Sequence, residues 1–278
     1  MTERLSTGLR NWLLDMGSMR EAFKDCTLKI YSGAAPTSAD DAVTGNLLVT
    51  ITKASGSVAS GSGALAGTNE AWRLHIQSTG RTGAVDVKVR IKFNRAGVAT
   101  GTSSALYTFD ANVLPNPTGK TYGNVKDGFV QYINDLQLPI IAVPGGSGSS
   151  GATGSGWVYV ACRVPGDKIV ISGATGDCQV TAAKLKAGNR GNFLYFNYAT
   201  GGAISKTVDT WSGEVATTGV AGYFRIVQDD DDGTSSTSQI RLQGSVSTSG
   251  AELNLSNTSL TDGTTLTIDT FSVSLPAE

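Results

Sequence analysis

Short runs of alternating apolar and polar residues, each cut off by glycine, serine or threonine, recur along almost the whole chain. That rhythm constrains the fold more than anything else in the sequence. Alternation with period two turns one face of each run toward a core and the other toward water, as a half-buried strand requires. With 35 glycines in 278 residues, turn positions come often enough to keep most runs short. Trp72-Arg73-Leu74-His75-Ile76 and Val85, Val87, Val89, Ile91 and Phe93 follow the pattern. So do Thr27–Tyr31, Leu47–Ile51, Ala105–Phe109, Trp157–Cys162, Lys168–Ser172, Gln179–Lys184 and Phe193–Tyr198. Beyond residue 205 come Val208–Trp211, Ala221–Val227, Gln239–Val246, Leu253–Leu255 and Leu266–Leu275.

Helical spacing is confined to two places. Leu5, Leu9, Trp12, Leu13 and Met16 recur at about one helical turn, with Ser6 or Thr7 as N-cap and Gly17 as the stop. Ser18 and Glu21 then have capping-box spacing for a second short turn that buries Met19, Ala22 and Phe23. Further on, Phe129, Ile133 and Leu136 predict a short helix within Val125–Leu136.

Two stretches interrupt the strands. Residues 53–68 are small, polar and aperiodic, which reads as a linker, and Gly145–Gly156 is a glycine/serine tract that reads as a loop. Residues 27–51 offer only two strands, too few to stand alone. The expected fold is therefore mainly β, an antiparallel sandwich or jelly roll with a short N-terminal helix. Residues 1–52 and 205–278 would form this terminal domain, with 53–68 the linker and 69–204 an inserted second β-domain. A single continuous domain is the competing arrangement.

Charged residues make up 16% of the chain and the net charge is −1, which argues against nucleic acid as a partner. The densest basic stretch, Lys88, Arg90, Lys92 and Arg95, alternates along one strand and reads as its wet side. No run approaches the ~20 apolar residues of a membrane span, so no membrane partner is expected. Met1-Thr2-Glu3-Arg4 has no signal-peptide core, so the expected place of synthesis is a cytoplasm. Cys26, Cys162 and Cys178 stand at unrelated spacings, which reads as buried free thiols. A Cys162–Cys178 contact across a hairpin is the alternative.

Chemistry has little to work with. His75 is the single histidine, so any Ser-His-Asp or Cys-His mechanism must use it. Its strand face, shared with Arg73 and Gln77, reads as solvated or as an interface. Multi-histidine metal sites are excluded, and no cofactor is expected. Asp229-Asp230-Asp231-Asp232-Gly233 invites a calcium reading, in which Asp230 and Asp232 are the ligand candidates. Gln228 and Gln239, however, occupy the first and last places of the loop. An acidic hairpin turn with Asp232-Gly233 at its tip is the preferred reading. Asp86, Asp110, Asp127 and Asp135 are the carboxylates a glycosidase would draw on, and nothing in the spacing singles one out. Trp157, Tyr159 and Ala161 share one strand face and Val158, Val160 and Cys162 the other, so one of these faces is a candidate for stacking on sugar rings.

Leu5-Ser6-Thr7-Gly8-Leu9-Arg10-Asn11, Leu28-Lys29-Ile30-Tyr31-Ser32-Gly33 and Leu47-Leu48-Val49-Thr50-Ile51 resemble the start of tailed-phage virion structural proteins. Thr218-Gly219-Val220-Ala221-Gly222-Tyr223-Phe224-Arg225, Gln243-Gly244-Ser245-Val246 and Asn257-Thr258-Ser259-Leu260 resemble their end. The likeness covers residues 5–51 and 211–275, roughly half the chain, and carries no reactive centre. It implies a non-enzymatic virion component assembled in the host cytoplasm: a capsid decoration or cement protein, a head fibre, or a neck or tail accessory. Its partners would be the major capsid protein or other virion proteins, and further copies of itself, with a trimer as one arrangement. In the accessory reading the inserted domain binds a host glycan. Leu9, Trp12, Leu13 and Met16 form the apolar stripe expected at an interface, or else a cover for the chain's own core.

Overall fold

The computed structural model describes residues 4–58, 70–78, 89–94, 108–110, 129–131, 133–135, 140–147, 155–164, 168–173, 178–186 and 191–274. The first part of the chain gives β1 (Arg4–Leu5), α1 (Thr7–Asp15), α2 (Met19–Ala22), β2 (Cys26–Ser32) and β3 (Leu47–Lys53). The middle gives β4 (Ala71–Ser78), β5 (Val89–Asn94), β6 (Thr108–Asp110), β7 (Ile140–Ser147), β8 (Ser155–Cys162), β9 (Lys168–Gly173) and β10 (Cys178–Lys186). The last part gives β11 (Ala203–Ser205), β12 (Trp211–Glu214), β13 (Gly219–Gln228) and β14 (Arg241–Ser247). It closes with β15 (Leu253–Asn254), β16 (Ser259–Leu260), β17 (Thr265–Ile268) and β18 (Ser272–Ser274). The protein is mainly β, and its sheets are antiparallel except where β15 joins β14.

Two compact units emerge, Met1–Gly67 with Arg190–Glu278, and Thr68–Asn189. In the terminal unit the sheet order is β1-β14-β13-β2-β3-β12-β17, so pairs of strands from the two ends of the chain are interspersed in one sheet. Alternation decides which side is apolar. Leu28 and Ile30, Val49 and Ile51, Phe224 and Ile226, and Leu242 all enter one core. Phe196 meets Trp211 edge-on at 5.3 Å, and Phe271 meets Phe224 edge-on at 5.4 Å. The hydroxyl of Ser6 caps α1 by accepting from the Leu9 N–H at 3.1 Å. It also donates to the Gln239 carbonyl, which ties the cap to the chain just before β14. A Cβ on Gly8 would run into the backbone at Ser238, so only glycine lets the helix lie this close. Ser18 caps α2 as the spacing predicts.

Several sequence expectations need correcting here. Residues 190–204 belong to the terminal unit, not to an inserted domain ending at 204. Leu194 bridges to Cys26 and Phe196 sits in the terminal core, because an aromatic run can complete a core through single bridges without forming a strand. Residues 53–58 are part of the same unit: Lys53 N–H donates to the Asn192 carbonyl at 2.8 Å. Asn192 Nδ2 donates to the Ser57 carbonyl at 2.9 Å. The remainder of the expected linker, 59–68, lies outside the described residues. The last strand of the Val208–Trp211 region starts only at Trp211, and Val208 is exposed. The Leu266–Leu275 run is two strands, β17 and β18. Both ends of the glycine/serine tract are strand, in β7 and β8.

In the inserted unit one sheet runs β10-β4-β8-β7 and another β6-β5-β9. Leu74, Ala142, Val158, Val160 and Cys162 are buried, and Phe129 and Ile133 are buried in helical residues at the predicted spacing. Leu136, Val85 and Val87 lie outside the described residues. Cys162 is buried, as is Cys26, where burial pushes the thiol pKa upward. The hairpin alternative for Cys162 and Cys178 fails on topology. β4 lies between β8 and β10, Cys178 pairs with Ser78 at one end of it, and Cys162 lies beyond Ala71 at the other.

Two tests arise from the terminal sheet. Gly222 sits at a bulge where β13 meets β2, and a Cβ there would overlap the Gly33 carbonyl. Gly222→Ala is expected to cost about 1–3 kcal/mol, read as a lowered urea midpoint. Tyr31 stacks on Tyr223 at 5.0 Å, and burial, with Tyr223 adding to it, pushes its hydroxyl from 10.0 up to about 12. The fold therefore favours the neutral phenol. That contribution is complete below pH 10 and is lost as the pH rises toward 12. The urea midpoint should fall across this window, and less so in Tyr31→Phe.

Candidate interaction surfaces

The outer face of the terminal sheet carries the residues that alternation assigns to water. Arg4, Gln243, Arg225, Lys29 and Thr50 stand in one register row across five strands. Yet Arg225, Arg241 and Gln243 are buried. The cover is the loop between β2 and β3, residues 33–46, which folds back over this face as a strap. Gln243 Nε2 donates to the Pro36 carbonyl at 2.8 Å, and Arg4 Nη1 donates to the same carbonyl at 2.6 Å. Tyr223 Oη donates to the Thr44 carbonyl at 2.6 Å and accepts from its N–H at 2.9 Å. Asp40 receives the Thr7 N–H and hydroxyl, which fastens the strap to α1.

The acidic run is part of this layer. Asp231 is buried and bidentate to Arg241, at 2.5 Å from Nε and 2.9 Å from Nη2. It also accepts the Gly233 N–H at 2.7 Å. Asp232 spends its carboxylate on the N–H and hydroxyl of Thr234, and these bonds hold its pKa low. Gly233 takes the positive φ of 81° that the turn reading requires. Asp230 is exposed, as is Asp232, so the two ligand candidates flank an inward-facing residue instead of converging. Among the described residues no three metal-binding side chains gather.

Helix α1 divides its stripe. Leu9 is buried, and Trp12 and Leu13 pack on the terminal core, while Met16 is 63% exposed beside Leu14 at 83%. The first three cover the chain's own core, and only the helix end offers apolar surface to another molecule.

The inserted sheet presents an exposed apolar row. Val158, Val160 and Cys162 point to the core, which turns Tyr159 and Ala161 outward. Val143 pairs with Tyr159, Ile141 with Ala161, and Arg73 with Tyr159 from the other side. Ile141, Val143 and Tyr159 are 42%, 45% and 37% exposed. His75 occupies the next position on this face, paired with Trp157. Each edge strand carries a register shift, between Pro144 and Ser147 in β7 and between Lys184 and Lys186 in β10. Such irregular edges resist strand addition. On the other side Glu70 is buried. Burial alone would raise its pKa, but hydrogen bonds from Trp72, Lys184 and Ile169 N–H outweigh it and keep the carboxylate ionised. Asp135 is exposed and Asp110 lies in β6, while Asp86 and Asp127 lie outside the described residues.

Sequence reasoning missed the arginine layer. Arg225 and Arg241 alternate with core residues, which is the signature of a wet face, and nothing in the aperiodic strap says that it folds over them. Compared with protein-family models, curated proteins and solved structures, the chain matches none.

Proposed function

We propose that this chain is a non-enzymatic structural component of a tailed-phage virion, a capsid decoration or cement protein that stabilises the particle by adding subunit contacts. One observation carries the reading. The two stretches with the virion-protein resemblance, at opposite ends of the chain, share one sheet and pair directly where β13 meets β2, with Phe224 opposite Ile30 and Ile226 opposite Leu28. The terminal unit, read as a β-sandwich of jelly-roll type, is then the part that seats on the particle. The exposed end of α1 at Leu14 and Met16 is its first contact candidate. Added interface stabilises in proportion to apolar area removed from water, about 25 cal/mol per Å² before association costs. The chain would act as an oligomer, a trimer being one arrangement, against the major capsid protein. Cryo-electron microscopy of the parent particle tests this. Density at regular head-lattice positions supports a cement role, and a particle without the chain rejects a virion role.

A second reading is favoured by the exposed apolar row of the inserted sheet: a neck, tail or head-fibre accessory whose inserted unit binds host glycan. An outward tyrosine beside the exposed aliphatic side chains of Ile141 and Val143 supplies a ring for a sugar face. Glycan-array binding that drops at least tenfold in Tyr159→Ala would support it. Binding that is absent, or indifferent to Tyr159, would remove it.

A further inference from the structure

The charge balance beneath the strap is uneven. Arg225 and Arg241 are both wholly buried on the same sheet face, and the nearby positive charge of Arg241 joins burial in disfavouring the charged form of Arg225. Asp231 gives both oxygens to Arg241 and acts on Arg225 only through space, offsetting part of the effect of Arg241. Asp40 gives both its oxygens to Thr7, and Asp41 accepts the Ser38 N–H. Arg225 is left with neutral partners, Gln243 Oε1 at 2.8 Å and the Ser38 carbonyl at 3.4 Å, while its Nη1 is buried with no acceptor. A buried guanidinium with no carboxylate bonded to it is costly, and a native structure seldom leaves such a donor unmet.

The carbonyl contacts of the strap to the two guanidiniums are also long. The strap is held tightly toward its ends, at Pro36 and Thr44, by bonds of 2.6–2.9 Å. Over the two guanidiniums the carbonyl contacts lengthen to 3.4 Å from Arg225 to Ser38, and to 3.3 and 3.5 Å from Arg241 to Ala39 and Asp40. Good N–H···O bonds lie at 2.7–3.2 Å. The two guanidiniums thus have only long carbonyl contacts to a stretch that Asp40 fixes elsewhere, through Thr7 and the Ser236 N–H.

We infer that a small monovalent anion of halide size binds beneath the strap, at Arg225 Nη1 beside Arg241, and fastens the strap to the sheet. Complete burial of both arginines favours a small ligand over a phosphate or sulfate, and the single unanswered positive charge calls for one negative charge. This inference is independent of where the protein acts.

Thermal unfolding of the whole chain in sodium chloride or bromide, against sodium gluconate at fixed ionic strength, reads the binding. The terminal-unit transition should rise by ~3–5 °C for each tenfold increase in halide above the dissociation constant. Arg225→Met should flatten that dependence. Gln243→Glu, which sets a carboxylate beside Arg225 Nε, should flatten it too by supplying the charge from within. Bromide-soaked crystals of the unaltered protein should give an anomalous peak within hydrogen-bonding reach of Arg225. A halide-independent midpoint, a dependence unchanged in both variants, or the absence of that peak would overturn the site.

Discussion

Asp231→Ala is expected to lower the stability of the terminal unit by about 3–5 kcal/mol, because it leaves the Arg241 guanidinium buried and unpaired. Calorimetry should register this as a fall of ~6–20 °C in the terminal-unit transition. Its neighbours are the control. Asp230 and Asp232 are exposed, and changing either to asparagine should leave the transition close to where it was. The double variant Asp231→Leu/Arg241→Met removes both charges and should recover much of the loss, since the pair's worth lies in mutual compensation. An Asp231→Ala protein as stable as the parent would mean that Arg241 is not buried beneath the strap.

Trp211→Ala is expected to cost a similar ~3–5 kcal/mol. Trp211 is fully buried and touches both Phe196 and Phe271, so it joins the segment after the insertion to the last strands of the chain. Its indole N–H has no acceptor, which separates two explanations of its importance. Trp211→Phe keeps an aromatic ring and removes that unmet donor, and should cost clearly less than alanine because it leaves the smaller cavity. If phenylalanine were as damaging as alanine, the indole N–H would matter more than the packing, and the core described here would be wrong at its centre.

The parts of this fold that were legible in the sequence are those where a local pattern has one physical meaning. Leu28 and Ile30, or Phe224 and Ile226, alternate because one sheet face is dry, and Ser6 and Ser18 precede helical turns because those turns need caps. The gathering of both chain ends into one unit was also legible, because two N-terminal strands cannot stand alone. What was not legible depends on partners far away in sequence. Arg225 and Arg241 look solvated until residues 33–46 close over them, and Phe193–Tyr198 looks like a strand of its neighbours until Cys26 and Trp211 claim it. Of the candidate sites, the acidic turn was placed correctly in outline. The inward turn of Asp231 was missed, since four consecutive aspartates offer no local reason to bury the third. For Tyr159, the two faces of its strand were separable by alternation, but which one met water depended on the neighbouring strands.

The insertion leaves and returns at one place. Ser57 and Asn192 are hydrogen-bonded neighbours, and Lys53 is bonded to Asn192 as well. Replacing residues 59–190 by a short glycine/serine loop should therefore leave the terminal unit intact. The most direct test of the account is to add this shortened chain to particles made without the protein and to measure co-sedimentation against the full-length chain. A folded terminal unit that loads the particles to the same copy number is the expected result. A terminal unit that folds but stays in the supernatant, while the full-length chain loads, would contradict the claim that the two chain ends together build the particle-binding part.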